Sequence, residues 1–307
     1  MKNQHILLLA LVMAPLTLPV LPARAQVVAP AQPQSADLSD EQVRQLGKGV
    51  AFPYEILSRV LGKAVDKNGL VNYGQIKGND QLVLFVRAVG LADMKNFPVF
   101  TDKDEAGKPV LDQRQPLAFY INAYNALFLK AVSDAYPVGS VAQIPDLDTK
   151  PRLVAGQNLS LAQLRKKITD LDPRAIFVLM DGTRSGPRAL QSAVLGFNLG
   201  NDMNAAIKAY VDDPTRVSAP SRLGGEVVVS PWLLKADDLF KPNKARRRGD
   251  GIKEILKSYT SNNASKRYFG AGSYDVKYLP AQNGLDLPSN SFTGIGAGNL
   301  GGEQPGG

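Results

Sequence analysis

The sequence predicts an α+β fold, a single globular domain of mixed helices and a small sheet. Several segments carry apolar residues at helical spacing, and short β-branched runs stand between them. The two kinds of segment follow one another without regular βαβ alternation, which separates α+β from a doubly wound α/β architecture. Of the 307 residues, 44% are hydrophobic and 21% charged, the balance of a chain that buries a core.

The first elements are read as processing and lead-in segments. Lys2 gives a positive start, residues 6–21 an apolar run, and Ala23-Arg24-Ala25 a small-x-small cleavage site, so residues 1–25 are expected to be a secretory signal peptide. The run is short for a membrane span and contains Pro15 and Pro19, so no transmembrane span is expected after cleavage. Residues 26–37 are rich in Pro and Ala and read as a flexible lead-in. Residues 38–282 are of single-domain size, and residues 283–307, dominated by Gly, Asn, Pro and Ser, read as a disordered tail.

Within the globular part, Ser39-Asp40-Glu41-Gln42 has the capping-box pattern of a helix start. Pro53 opens a second helical stretch, because proline is tolerated in a first turn. Asp66-Lys67-Asn68-Gly69 reads as a turn leading into a short strand, Leu70-Val71-Asn72-Tyr73. Leu82, Phe85, Val86 and Val89 give residues 81–91 helical spacing. Residues 113–136 form the strongest helix, stopped by Pro137. A hairpin is expected around Ala155-Gly156-Gln157-Asn158, followed by a helix over 161–168. The apolar run at 175–180 predicts a strand buried on both faces. A helix at 201–211, a strand at 226–230, helices near 252–259 and 262–268, and a strand at 276–278 complete the domain.

Composition excludes several chemistries. The chain has no Cys, and its one His, His5, leaves with the signal segment. A Ser-His-Asp triad, a Cys-His pair, His-bound zinc and an iron–sulfur cluster are therefore excluded in the mature chain, and neither a metal nor a cofactor is expected. Disulfides are excluded even in an oxidising compartment. The net charge of +8 favours anionic neighbours such as lipid headgroups or acidic polysaccharide, while its even spread and the export signal argue against nucleic acid.

Four motifs invite functional readings. Gly296-Ala297-Gly298-Asn299-Leu300-Gly301 matches a dinucleotide fingerprint, but neither the strand nor the helix that such a site needs flanks it, so it reads as linker. Asp102, Asp104 and Gly107 suggest a calcium loop, yet Gln113 stands where a bidentate Glu is required, and an acidic turn is the simpler account. Lys244-Ala245-Arg246-Arg247-Arg248 after Pro242 reads as a solvated basic loop, with contact to an acidic polymer or membrane surface as the alternative. Gly182-Thr183-Arg184-Ser185-Gly186 places its Ser one position late for a nucleophile elbow, and no His exists to activate it. This loop is expected to be a turn, or an anion site built from backbone N–H groups, Arg184 and Ser185, with a Ser-Lys pair the remaining catalytic option.

Asn122 and Asn125 lie three apart in an otherwise apolar helix. Buried amides need partners, so the pair either satisfies backbone groups of a neighbouring loop or lines a pocket wall.

Gly69-Leu70-Val71-Asn72-Tyr73 and the segment Leu117-Ala118-Phe119-Tyr120-Ile121-Asn122-Ala123-Tyr124-Asn125-Ala126-Leu127 resemble the domain of unknown function 547 family. Tyr136-Pro137, Leu159-Ser160-Leu161, Asp172-Pro173-Arg174, Val229-Ser230-Pro231-Trp232 and Val276-Lys277-Tyr278-Leu279-Pro280 follow in that family's order. The resemblance implies the fold. It also implies a His where Ile176 stands, and Cys where Asp181 and Gly186 stand, so thiol or imidazole chemistry of relatives is closed to this chain.

Together these readings lead to an exported protein of the periplasm or extracellular space, a binding protein more than an enzyme, with an anionic envelope component or an envelope protein as partner. The pocket is expected where the Asn122/Asn125 helix meets the 181–187 loop, with Asn122, Asn125, Asp181, Arg184 and Ser185 as its candidate residues. The rival readings are a carboxylate-dependent hydrolase using Asp181 as general base, and an adaptor or structural envelope protein.

Overall fold

The computed structural model describes residues 38–46, 52–103, 109–220, 225–241 and 247–288, all within one compact unit. Residues 1–25, expected to be a signal peptide, the expected lead-in at 26–37, residues 289–307 with the G-x-G-x-x-G stretch, Asp104, Gly107 and residues 242–246 lie outside the described residues.

The elements run α1 (Asp40–Leu46), α2 (Tyr54–Ala64), α3 (Asp80–Leu91), β1 (Phe100–Lys103), β2 (Pro109–Asp112), α4 (Arg114–Ala135), β3 (Arg152–Val154), β4 (Gln157–Leu159) and α5 (Leu161–Leu171). Then follow α6 (Leu199–Val211), β5 (Glu226–Val229), α7 (Leu234–Asp237), α8 (Asp250–Tyr259), α9 (Asn263–Ala271) and β6 (Asp275–Tyr278). The fold is α+β, as the sequence predicts. Its strands form separate pairs instead of one sheet: β1 with β2 and β3 with β4 antiparallel, β5 with β6 parallel.

Local chemistry explains most boundaries. At α1 the Ser39 amide donates to Gln42 Oε1 at 2.7 Å and the Gln42 amide to Ser39 Oγ at 3.2 Å, a reciprocal cap. Ser160 and Gln163 repeat it at α5, at 2.9 and 3.2 Å. Asn79 caps α3 through the Leu82 amide at 3.0 Å. The β3–β4 hairpin turns on Ala155 and Gly156, both at positive φ, 47° and 75°.

Two expected strands are absent. At 70–73 only Val71 makes a bridge, to Val65, and Tyr73 already opens a 3₁₀ turn to Ile76 that Asn72 caps. The run at 175–180 is not a strand but chiefly a 3₁₀ helix, Pro173–Val178. Asp172 accepts from the Arg174 amide at 2.9 Å and Pro173 sits in the first turn, so the local chemistry starts a helix. The apolar run reflects burial on every side, which erases the periodicity that tells helix from strand.

That 3₁₀ segment lies between two apolar cores. Ala175, Val178, Leu179 and Met180 belong to the larger core, built by α1 to α5. Ile176 and Phe177 belong to the smaller one, around α6, β5 and α8. Phe177 packs against Tyr210 and Trp232 with ring centroids 5.5 and 5.2 Å apart.

The smaller core closes on a tight contact between α7 and α8. Buried Asp237 accepts from the Gly249 amide at 2.9 Å and the Ile252 amide at 3.0 Å. A Cβ on Gly251 would stand 1.8 Å from the Asp237 carbonyl oxygen. Gly251→Ala is therefore expected to lower stability by about 1–3 kcal/mol or more through overpacking against backbone. The urea midpoint measures this, and an unchanged midpoint would refute the contact.

Candidate functional site

The loop that follows the 3₁₀ segment, residues 181–188, is held from three sides. From α4, Asn125 Nδ2 donates to the Val178 carbonyl at 2.9 Å and Asn125 Oδ1 accepts from the Met180 amide at 2.8 Å. Asn122 binds Val194 in the same way, donating to its carbonyl at 2.8 Å and accepting from its amide at 3.0 Å. Both amides are buried, and neither lines the cavity described below. From α6 and the smaller core, the Tyr210 hydroxyl at 2.7 Å and Ser230 Oγ at 3.0 Å both donate to the Ser185 carbonyl. Burial pushes the Tyr210 phenol up to about 12, so it stays a donor across ordinary pH.

The third side is the C-terminal segment. The globular part continues past Gln282, where the sequence places the start of the tail. Leu285 is buried and bridges Thr183, the Arg184 amide donates to Gly284 O at 3.2 Å, and the Asp286 amide to Gly182 O at 3.2 Å. Leu285 also donates to Gly139 O at 3.0 Å, and Val71 to Asp286 O at 3.1 Å. One buried leucine and a run of backbone hydrogen bonds suffice to order residues that look too polar to pack.

Between this strap and the loop lies a cavity of about 480 Å³, within the usual range for small-molecule sites. Arg184 and Ser185 line it, together with Arg188, Arg216, Ser230 and Asp286. Ser185 Oγ accepts from the Gln282 amide at 3.0 Å and thus serves the strap. Arg188 pairs with Asp286. Burial pushes the Asp286 carboxyl up, against the pull of Arg188, Arg216 and Arg184. Arg216 is buried. Its Nε donates to Asp213 Oδ2 at 3.1 Å, a second nitrogen donates to the Gly186 carbonyl, and its guanidinium lies 4.9 Å over the Tyr210 ring. A second hollow of about 520 Å³, between α3, α4 and β3, has an apolar floor of Val86, Leu91 and Leu127 and holds none of the side chains singled out from sequence.

Asp181 does not line the cavity beside the strap. Its Oδ2 pairs with Lys235 Nζ at 2.6 Å, and its Oδ1 accepts from the Thr183 hydroxyl. A Cβ on Gly186 would lie 2.8 Å from Asp181 Cβ, so the two positions where the family resemblance implies cysteines are neighbours in space. Of the basic cluster, Arg247 donates its amide to Asp250 and the Arg248 guanidinium lies 5.4 Å over the Tyr278 ring. Asp102 lies on β1. Among the described residues no three His, Cys, Asp or Glu side chains gather to hold a metal ion, and no helix is long and apolar enough to cross a membrane.

Sequence reasoning found two cavity residues and missed Arg188, Arg216, Ser230 and Asp286. Ser230 sits in the Val229-Ser230-Pro231-Trp232 motif, which was a usable signal; Arg216 and Asp286 lie in segments without pattern.

Two expectations follow. Asn125→Ala leaves the Val178 carbonyl and the Met180 amide buried and unpaired. It is expected to cost about 2–5 kcal/mol, read from denaturant midpoints, and Asn122→Ala should behave alike. A cost near zero would show that these backbone groups find other partners. Asp213 supplies the pH dependence. Burial pushes its carboxyl up, but the Thr215 hydroxyl and amide and the Arg216 guanidinium outweigh this and hold it below its ordinary value. A carboxyl with a depressed folded pKa lends stability above its unfolded value and loses it as pH falls through the folded one. The advantage of wild type over Asp213→Asn should be full above about pH 5 and shrink below about pH 4. Urea midpoints at neutral and acid pH measure it, and a constant difference would contradict the assignment.

No curated protein and no solved structure matches the chain. The motifs at 69–73, 229–232 and 276–280 lie outside the stretch for which a family is found. Over residues 110–211, from β2 through α6, the chain is similar to the family described as Protein of unknown function, DUF547, and the matching stretch contains no cysteine.

Proposed function

We propose that this chain is an exported, non-catalytic binding protein of the cell envelope or extracellular space, and that it captures its ligand in the cavity between the 184–188 loop and the C-terminal strap. The observation that carries this reading is the cavity itself: about 480 Å³, with Ser185, Arg188, Arg216, Ser230 and Asp286 on its wall held by hydrogen bonds to backbone or to one another. Preorganised walls reduce the ordering cost of binding.

Asp181 argues for binding over hydrolysis. A carboxylate hydrolase needs a second carboxylate across the reacting bond. Asp181 instead meets Lys235 and Thr183, and the carboxylate on the cavity wall, Asp286, is paired with Arg188. Export rests on the signal-like residues 1–25.

A thermal-shift screen of the purified protein against sugars, cell-wall fragments, acidic polymers and divalent cations tests the binding role. A ligand of the folded state raises the melting temperature by mass action, with about 2.7 kcal/mol gained at a hundredfold excess over its dissociation constant. The shift is expected to vanish in Pro280→Trp, which fills the cavity mouth at an exposed position, and the ligand should be recovered chemically unchanged. A flat screen, a shift that survives Pro280→Trp, or a converted ligand would overturn the reading. Amino-terminal sequencing of the secreted protein should begin at Gln26.

A further inference from the structure

The cavity also indicates what kind of ligand it takes, an inference that rests on the binding role above. Arg216 is only 2% exposed, and a buried guanidinium needs acceptors for all its donors. Asp213 takes Nε and the Gly186 carbonyl takes Nη1. Nη2 is buried and has no acceptor among the described residues. Arg184, exposed on the same cavity, has no side-chain hydrogen bond or ion pair among the described residues. Arg188 is already committed to Asp286.

The charges point the same way. Three guanidiniums line the cavity against the single carboxylate of Asp286, and they still outnumber carboxylates when Asp213, behind Arg216, is included. On this wall Asp286 is paired with Arg188. The hydroxyls nearby are taken: Ser230 and Ser185 by the loop and strap, Thr215 by Asp213. The polar donors left for a ligand are the guanidinium N–H groups, which match planar or tetrahedral oxyanions, and the neutral side-chain amide of Gln282. Leu70, Pro231, Leu279 and Leu287 give the wall an apolar part.

We propose that the cavity is a site for a small organic oxyanion, whose carboxylate or phosphate group is held between Arg184 and Arg216 Nη2 and whose uncharged body packs on the apolar wall. Arg184 meets the anion at the mouth. Arg216 supplies a sheltered donor, where a charge-assisted hydrogen bond is strongest.

Calorimetric titration of the full chain at fixed ionic strength tests this with benzoate, phenyl phosphate and the neutral analogue benzyl alcohol. At least one oxyanion is expected to bind and benzyl alcohol not to; which one binds distinguishes carboxylate from phosphate ligands. Arg184→Ala, which breaks no contact of the fold, should weaken binding roughly tenfold or more with the melting temperature unchanged. Arg216→Lys keeps the charge and loses the fork, and should weaken binding likewise; if it does not fold, Arg184→Ala decides. Equal binding of benzyl alcohol, no binding of either anion, or wild-type affinity in Arg184→Ala would overturn the oxyanion assignment. A neutral sugar that binds wild type but not Pro280→Trp, with no oxyanion binding, would leave the binding role standing and remove this inference alone.

Discussion

The architecture depends on two asparagines that hydrogen-bond to backbone across the core. Asn122 and Asn125 project from an otherwise apolar stretch of α4, and each gives one donor and one acceptor to a partner segment with no strand neighbour. The 175–180 run needs this. It is buried between two cores, so its peptide groups are shut off from water, and a 3₁₀ segment that ends there leaves free carbonyls and amides. Asn125 satisfies the two at the exit, and in doing so fixes where the 181–188 loop begins. A single amide thus couples the larger core to the loop that bears the cavity.

From that fixed point the cavity is assembled by segments far apart in the chain. The loop contributes Arg184 and Ser185, the turn after α6 contributes Arg216, the end of β5 contributes Ser230, and the strap contributes Asp286. Backbone carbonyls do much of the binding between them. The Ser185 carbonyl accepts from Tyr210 and Ser230, and the Gly186 carbonyl from Arg216. Arg216, which lines the cavity and whose buried Nη2 has no acceptor among the described residues, therefore also anchors the loop. Under the proposed oxyanion site, ligand affinity and loop stability would share one residue; the anchoring role alone makes a conservative Arg-to-Lys change at 216 structurally non-neutral.

What the sequence made legible was local. Ser39 with Gln42 marks a helix start because the cap is a short-range exchange of hydrogen bonds, and the structure forms it; the same exchange at Ser160 and Gln163 is seen only in the structure. The alternatives for Asn122 and Asn125 were likewise visible, and their hydrogen bonds are to backbone. Residues 175–180 were not legible, because a segment buried on all faces has no periodicity. Nor was the strap: Asn283-Gly284-Leu285-Asp286 has tail composition, and its order comes from Gly139, Gly182 and Val71, all distant in sequence. Arg216 was hidden for the same reason. Nothing in Asp213-Pro214-Thr215-Arg216 states that Gly186 lies within reach.

The Asp181–Gly186 contact sets the outline of the loop. The Cβ positions there are close enough to touch, so two side chains larger than Gly and Asp would compete for the space, and Gly186 removes the conflict. Asp181 then turns its carboxylate to Lys235 and Thr183, an arrangement that neutralises it and links the loop to α7. A half-exposed pair of this kind contributes little by charge alone, on the order of 0–1 kcal/mol. Its larger effect is to occupy Asp181 as an acceptor, away from the cavity. The unused polar capacity of the region lies instead on the cationic side of the cavity, at Arg184 and Arg216. The proposed oxyanion site rests on that asymmetry, carboxylates that are paired beside guanidiniums with donors to spare.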